Sequence, residues 1–150
     1  MTLPQDIVAI EGVYGPDALR QAMNAWEYLV GHDEITIDVI LKTHKILMRE
    51  QPLMPDEKGY LRMVDVFVGM EKMVPPHLLD AFLRGWIGDM NAGEKGWKEL
   101  HVAYEKIHPF VDGNGRTGRM FLNWYRIKKY GGKVLIITEA RKEDYYQWFS

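Results

Sequence analysis

Apolar residues recur three and four positions apart along almost the whole of this 150-residue chain, the spacing that lines one face of an α-helix. Thr2 and Gln5 form a capping-box pattern that opens a short first helix, stopped near Gly12. Pro16 suits a first helical turn and starts a second helix, with Leu19, Ala22, Met23, Trp26 and Val30 as its apolar stripe and Gly31 as its stop. Thr36 caps a third, lined by Ile37, Ile40, Leu41, His44 and Leu47. Leu79, Phe82, Leu83, Trp86 and Met90 mark another. Leu100, Ala103, Tyr104 and Ile107 mark the next, which ends at His108 because Pro109 disfavours helical backbone in the residue before it. The helix that begins near Asn114 carries Met120, Phe121, Leu122, Trp124, Tyr125 and Ile127, apolar around much of its circumference. Such a helix belongs in the middle of a bundle. Gly131 and Gly132 end it. A short extended piece from Val134 to Ile137 and a last helix near Arg141 complete the pattern.

Residues 52 to 76 break the helical spacing. Pro52, Pro55 and Gly59 punctuate the stretch, and Asp65 to Gly69 reads as a strand of a short hairpin that exits through Pro75 and Pro76. The expected fold is all-α, a single domain over 1–150 with one small β-hairpin.

Composition narrows the function classes. There are no cysteines, so neither a disulfide framework nor a thiolate zinc site is available. The formal charge of −2 argues against a general nucleic-acid footprint. No apolar run approaches the ~18 residues of a membrane span, and the first residues lack the basic and apolar regions of a signal peptide. A cytoplasmic globular protein is the expectation. His32, His77 and His101 show no ligand spacing to one another. His44 sits on an apolar helical face and reads as a core histidine with one hydrogen bond. Arg126, Lys128, Lys129 and Lys133 read as a solvated helix end.

The chemistry concentrates in residues 108–119. Gly113 and Gly115 let the backbone approach a ligand, and the helix that starts beside them points N–H groups and the positive end of its dipole outward, the makings of an anion site. Arg116 and Arg119, three apart, project from one face as permanently charged forks suited to phosphate oxygens. The Asn114 amide is placed to donate to a phosphoryl oxygen. Asp112 precedes the anion site, where a carboxylate holds a magnesium ion that also binds phosphates. His108, at the mouth of the loop, is the natural general base.

This segment resembles the signature of the Fic family, His-Pro-Phe-x-[Asp/Glu]-Gly-Asn-Gly-Arg-x-x-Arg, at every specified position from His108 to Arg119. Gly59 to Arg62, then Val66, Phe67, Val68 and Gly69, then Pro75 to His77 resemble the family's flap hairpin and its exit. The resemblance implies a helical core with a flap near 59–75, and an enzyme that moves AMP from ATP to a Ser, Thr or Tyr hydroxyl of a target protein, itself included. In that reading His108 takes the hydroxyl proton and Asp112 holds Mg²⁺. Gly113, Asn114 and Gly115 cradle the α- and β-phosphates, Arg116 and Arg119 bind the β- and γ-phosphates, and Phe110 anchors the loop. Val66 to Gly69 would pair with the target peptide as an exposed strand edge. Self-association is compatible with the family.

Ala9, Ile10, Glu11 and Gly12 resemble the family's inhibitory helix, whose glutamate pairs with the second arginine of the motif, here Arg119. Ile7 departs from the Ser or Thr of that pattern. Two other readings remain at this stage: AMP removal, with Glu11 aligning a water, and a catalytically silent module that holds a partner through the flap. Ser150 ends the chain earlier than the resemblance leads one to expect.

Overall fold

The computed structural model describes residues 16–131. The expected first helix, the extended piece from Val134 and the last helix lie outside the described residues. Five α-helices occur among the described residues: α1 (Pro16–Val30), α2 (Ile37–Leu47), α3 (Leu79–Ala92), α4 (Trp97–Ile107) and α5 (Asn114–Tyr130). Between α2 and α3 lie two 3₁₀ turns, Pro55–Glu57 and Pro76–Leu78, and the hairpin strands β1 (Phe67–Val68) and β2 (Glu71–Lys72). The architecture is the expected one, mostly helical with a small antiparallel hairpin.

The local signals act as their chemistry dictates. The Thr36 hydroxyl accepts the Val39 N–H at 3.1 Å and opens α2. Gly93 closes α3 in a left-handed conformation, its N–H bonded to the Asp89 carbonyl at 3.2 Å. In α5, every residue from Arg116 to Tyr125 is buried, so this helix is the centre of the bundle. It meets α4 along its length and touches α1 and α2. Trp86, Tyr104 and Phe121 form one aromatic cluster, with ring centroids 4.8 to 5.8 Å apart. The Trp86 indole donates to the Leu100 carbonyl at 2.8 Å and the Trp124 indole to the His32 carbonyl at 2.9 Å, so neither polar edge is stranded in the core.

Two expected faces are rotated. Helix α1 buries Ala18, Gln21, Ala22, Ala25, Trp26 and Leu29. Met23, expected in the core, is 47% exposed, Val30 is exposed as well, and Leu19 is only half-buried. Three alanines on one face let α1 lie close against α2, and this close contact outweighs the larger side chains next to it. Phe82 of α3 likewise lies half in solvent.

The hairpin pairs Phe67 with Lys72 and Val68 with Glu71. One further bond, Met73 N–H to Val66 carbonyl at 2.9 Å, closes its base. The strand is shorter than Asp65 to Gly69 because Gly69 enters the turn at φ +63°, while the Asp65 carboxylate reaches sideways to Lys72 at 3.4 Å.

Candidate active site

Helix α4 delivers the histidine. His108 caps it with φ 52° and ψ 63°, the one non-glycine residue with positive φ among the described residues, its N–H bonded to the Tyr104 carbonyl at 3.0 Å. Histidine tolerates this left-handed region better than most side chains, at a cost that surrounding contacts must offset. Those contacts come from Arg62, which is 3% exposed. Its guanidinium donates to the carbonyls of His108 (2.6 Å), Val64 (2.8 Å), Val74 (2.5 Å) and Ile107 (3.2 Å). Its N–H bonds the Pro109 carbonyl at 3.0 Å. One buried cation therefore fastens both legs of the hairpin to the backbone that carries His108. Burial pushes its pKa below the ordinary arginine value.

The loop after His108 is clamped from within. Asn114 bonds the Phe110 N–H at 2.8 Å through its Oδ1 and the Phe110 carbonyl at 2.9 Å through its Nδ2. Oδ1 and one Nδ2 hydrogen therefore hold the loop, and the expected bond to a phosphoryl oxygen would use the second Nδ2 hydrogen. Phe110, fully buried, stacks on His44 with centroids 3.7 Å apart and planes 6° from parallel. His44 makes two hydrogen bonds where one was expected. Its Nδ1 accepts the Gly59 N–H at 2.9 Å, which leaves Nε2 to carry the proton and donate to the Asp112 carbonyl at 2.8 Å. Burial lowers its pKa to about 4, and the neighbouring Arg116 adds to the effect.

Gly113 turns the chain into α5 at φ 84°. The positive φ favours glycine here, and a Cβ would also lie 2.7 Å from the Met48 sulfur and push that buried side chain aside. The first turn of α5 presents backbone N–H groups with no intrahelical acceptor, and Gly115 lies half-buried on that turn. The Asp112 side chain is 58% exposed; its Oδ1 accepts the Gly113 N–H at 2.8 Å and its Oδ2 lies 3.3 Å from the Arg116 guanidinium. Arg116 and Arg119 are 3% and 2% exposed. Among the described residues, the Nε of Arg116 has no hydrogen-bond partner. A buried guanidinium with a spare donor, beside a helix N-terminus, is suited to an anion.

Thr117 and Gly118 occupy two of the three unspecified positions of the motif, and the sequence pattern assigns them nothing. Thr117 accepts or donates at the Tyr104 hydroxyl over 2.7 Å and also bonds the Gly113 carbonyl. The Gly118 carbonyl lies 3.2 Å from Nδ1 of His101. His101 is buried, and this burial, aided by Arg119, lowers its pKa to about 3. The structural importance of Arg62 had no signal in spacing. The flap residues Phe67 and Val68 are exposed at the hairpin, with Val66 half-buried behind them and Gly69 at the tip. Glu11 lies outside the described residues. The basic end of α5 is more engaged than expected: Lys128 pairs with Asp33 at 3.2 Å and Arg126 lies 4.8 Å over the Trp97 ring.

These features define a helical domain built around a glycine turn that runs into a central helix, with buried arginines beside it and a histidine at the start of the loop. The chain matches the Fic/DOC family over residues 34–126, well over half its length, and belongs to that family. It is 32% identical over 140 residues to protein adenylyltransferase fic-1 of Caenorhabditis elegans, covering 89% of this chain and 27% of that protein. It is 32% identical over 146 residues to protein adenylyltransferase Fic of Drosophila ananassae, covering 91% and 28%. The chain thus spans little more than a quarter of these curated relatives. Among solved structures, a segment of Fic-1 from C. elegans superposes with a TM-score of 0.74 at 24% identity, over 93% of this chain and 46% of that one. A Fic family protein from Desulfovibrio desulfuricans G20 superposes with 0.73 at 23% identity, over 96% and 54%. Both likenesses concern the fold.

Proposed function

We propose that this chain is a protein adenylyltransferase, moving AMP from ATP to a Ser, Thr or Tyr hydroxyl. One observation carries the reading: Arg116, nearly sealed from solvent, keeps an unbonded Nε beside the Gly113 turn and the α5 N-terminus. That arrangement suits a polyphosphate. Relatives named as protein adenylyltransferases support AMP as the transferred group.

In this reading the amides of 113–115, with Arg116 and Arg119, bind the phosphates, and Asn114 serves by holding the loop's shape. His108 takes the proton as the target oxygen bonds the α-phosphorus, and the bond to pyrophosphate breaks. The donor set fits a magnesium ion held largely by substrate: Asp112 offers one exposed carboxylate, and magnesium commonly takes one or two carboxylates plus phosphate oxygens. Such an ion would neutralise phosphate charge. Phe67 and Val68 present an apolar strand edge suited to an extended target segment. Use of ATP and the absence of cysteine fit a cytoplasmic setting.

The test is incubation with α-labelled ATP and Mg²⁺, reading label on the chain itself and on added protein. The His108→Ala protein should lose transfer by about 10²–10⁴-fold while still binding nucleotide. Equal transfer by the two proteins would refute the mechanism. Glu11, by resemblance, restrains the reaction through Arg119. Glu11→Gly should then raise label incorporation; equal incorporation returns Glu11 to an ordinary glutamate, and loss of AMP removal in the mutant favours the reverse reaction.

A further inference from the structure

We propose that His44 is a positioning residue that couples the base of the flap to the phosphate loop, through one ring nitrogen to each. The inference rests on the reading of residues 108–119 as the nucleotide site.

The geometry is specific. His44 is fully buried in α2, an element that contributes no residue to the motif. Its Nδ1 holds the Gly59 N–H, at the start of the segment that leads through Arg62 into the hairpin. Its Nε2 holds the carbonyl of Asp112, the residue just before the Gly113 turn. Its face supports Phe110 across 3.7 Å. Gly59 has φ +83°, and a Cβ there would lie 2.8 Å from the Lys45 Cβ, so the N–H is brought to the ring by a conformation suited to glycine. The ring is asymmetric by necessity. A Gly59 donor on one side and an Asp112 acceptor on the other admit only the neutral Nε2–H tautomer. A residue serving only to fill the core would need neither bond. A displacement of either partner is felt by the other through a rigid five-membered ring. The surface that receives a target and the loop that receives ATP are therefore held in one register.

The two bonds can be separated by substitution. In His44→Gln the Nε2 amide reaches the position of the ring Nε2 and still donates to Asp112, but nothing accepts the Gly59 N–H. In His44→Asn the Oδ1 takes the place of the ring Nδ1 and keeps Gly59, but the Asp112 carbonyl loses its donor. Both lose the stack on Phe110, so the difference between them isolates the bonds. The probe is α,β-methylene ATP with Mg²⁺, which binds without AMP transfer. His44→Asn should bind it about tenfold more weakly than His44→Gln, the effect of one buried hydrogen bond. The Gly59 amide should exchange with solvent about tenfold faster in His44→Gln than in His44→Asn. Equal affinity and equal exchange in the two variants overturn the proposal. Should either fail to fold, the unaltered chain decides. Its His44 ¹⁵N spectrum must show the Nε2–H tautomer, and addition of the analogue must slow Gly59 exchange; the other tautomer, or unchanged exchange, overturns the coupling. These readouts involve no turnover. Failure of the unaltered chain to transfer label therefore counts against adenylyl transfer alone.

Discussion

Arg62 Nε donates to the main-chain carbonyl of His108 across 2.6 Å, so the residue that spans the base of the hairpin also holds the histidine in its left-handed conformation. Replacing it with lysine keeps the charge but supplies a compact ammonium in place of a planar fork. With three donors on one nitrogen for four carbonyls, at least one carbonyl would lose its partner in a dry setting. Arg62→Lys should cost about 1–3 kcal/mol of stability. At a temperature where the protein remains folded, AMP transfer should fall about tenfold with ATP affinity nearly unchanged, since the proposed phosphate site lies on α5. Denaturant unfolding and steady-state kinetics check both. Parent-like kcat in a folded variant would separate Arg62 from His108 positioning.

Gly113→Ala tests the turn into α5. The added Cβ meets the Met48 sulfur at 2.7 Å, and the residue sits at φ 84°. The left-handed conformation alone costs an alanine about 1–2 kcal/mol, and the contact adds to it. The variant should unfold at lower denaturant and bind ATP about tenfold more weakly, because a non-glycine residue shifts the turn away from φ 84° and the Met48 side chain must also give way. Unfolding and calorimetric titration read the two effects. Undiminished affinity would mean that the turn does not shape the nucleotide site.

These two cases also show what a sequence can reveal. The motif from His108 to Arg119 was legible because its specified positions carry residue types whose chemistry few others supply. The helices were legible from spacing and caps, as Thr36 shows. Arg62 was not: its partners are carbonyls at positions 64, 74, 107 and 108, far apart in sequence and without side-chain identity. The hold of Asn114 on the loop was not legible for a related reason, since an amide suits phosphate and backbone equally and only the fold shows Phe110 folded back on it. Met23 was placed inside because hydrophobicity favours it over Ala25, whereas close approach of α1 to α2 favours the alanine.

Asp112→Asn separates charge from shape. The amide oxygen can still accept the Gly113 N–H, and the carboxylate is more than half exposed, so stability should change by less than about 1 kcal/mol. The lost charge should matter to the metal. The Mg²⁺ concentration for half-maximal transfer should rise about tenfold or more. A magnesium titration of both proteins supplies the comparison. Superimposable titrations would remove Asp112 from the metal site.

His101 gives the chain a pH signature. In the folded protein its pKa is lowered to about 3, first by burial and then by the Arg119 guanidinium, against an ordinary value of 6.5. Glu105, 3.9 Å from Nε2, and the Gly118 carbonyl at Nδ1 also face the ring. Between those two pH values the unfolded chain binds a proton at this residue that the native chain does not. Stability contributed by neutral His101 is therefore complete above about pH 6.5 and is lost as pH falls toward 3. The slope approaches ~1.4 kcal/mol per pH unit for one proton. His44, lowered to about 4 by its own burial, acts with the same sign. His101→Asn sets its amide nitrogen near the place of the ring Nδ1, keeps a donor for the Gly118 carbonyl and removes the titration. Urea unfolding of parent and variant at pH 7, 6, 5 and 4 isolates it, because His44 and the carboxylates are common to both. The parent curve should fall more steeply below pH 6 by up to that one-proton slope. Parallel curves would show that the His101 ring takes up its proton as readily in the folded chain as in the unfolded one.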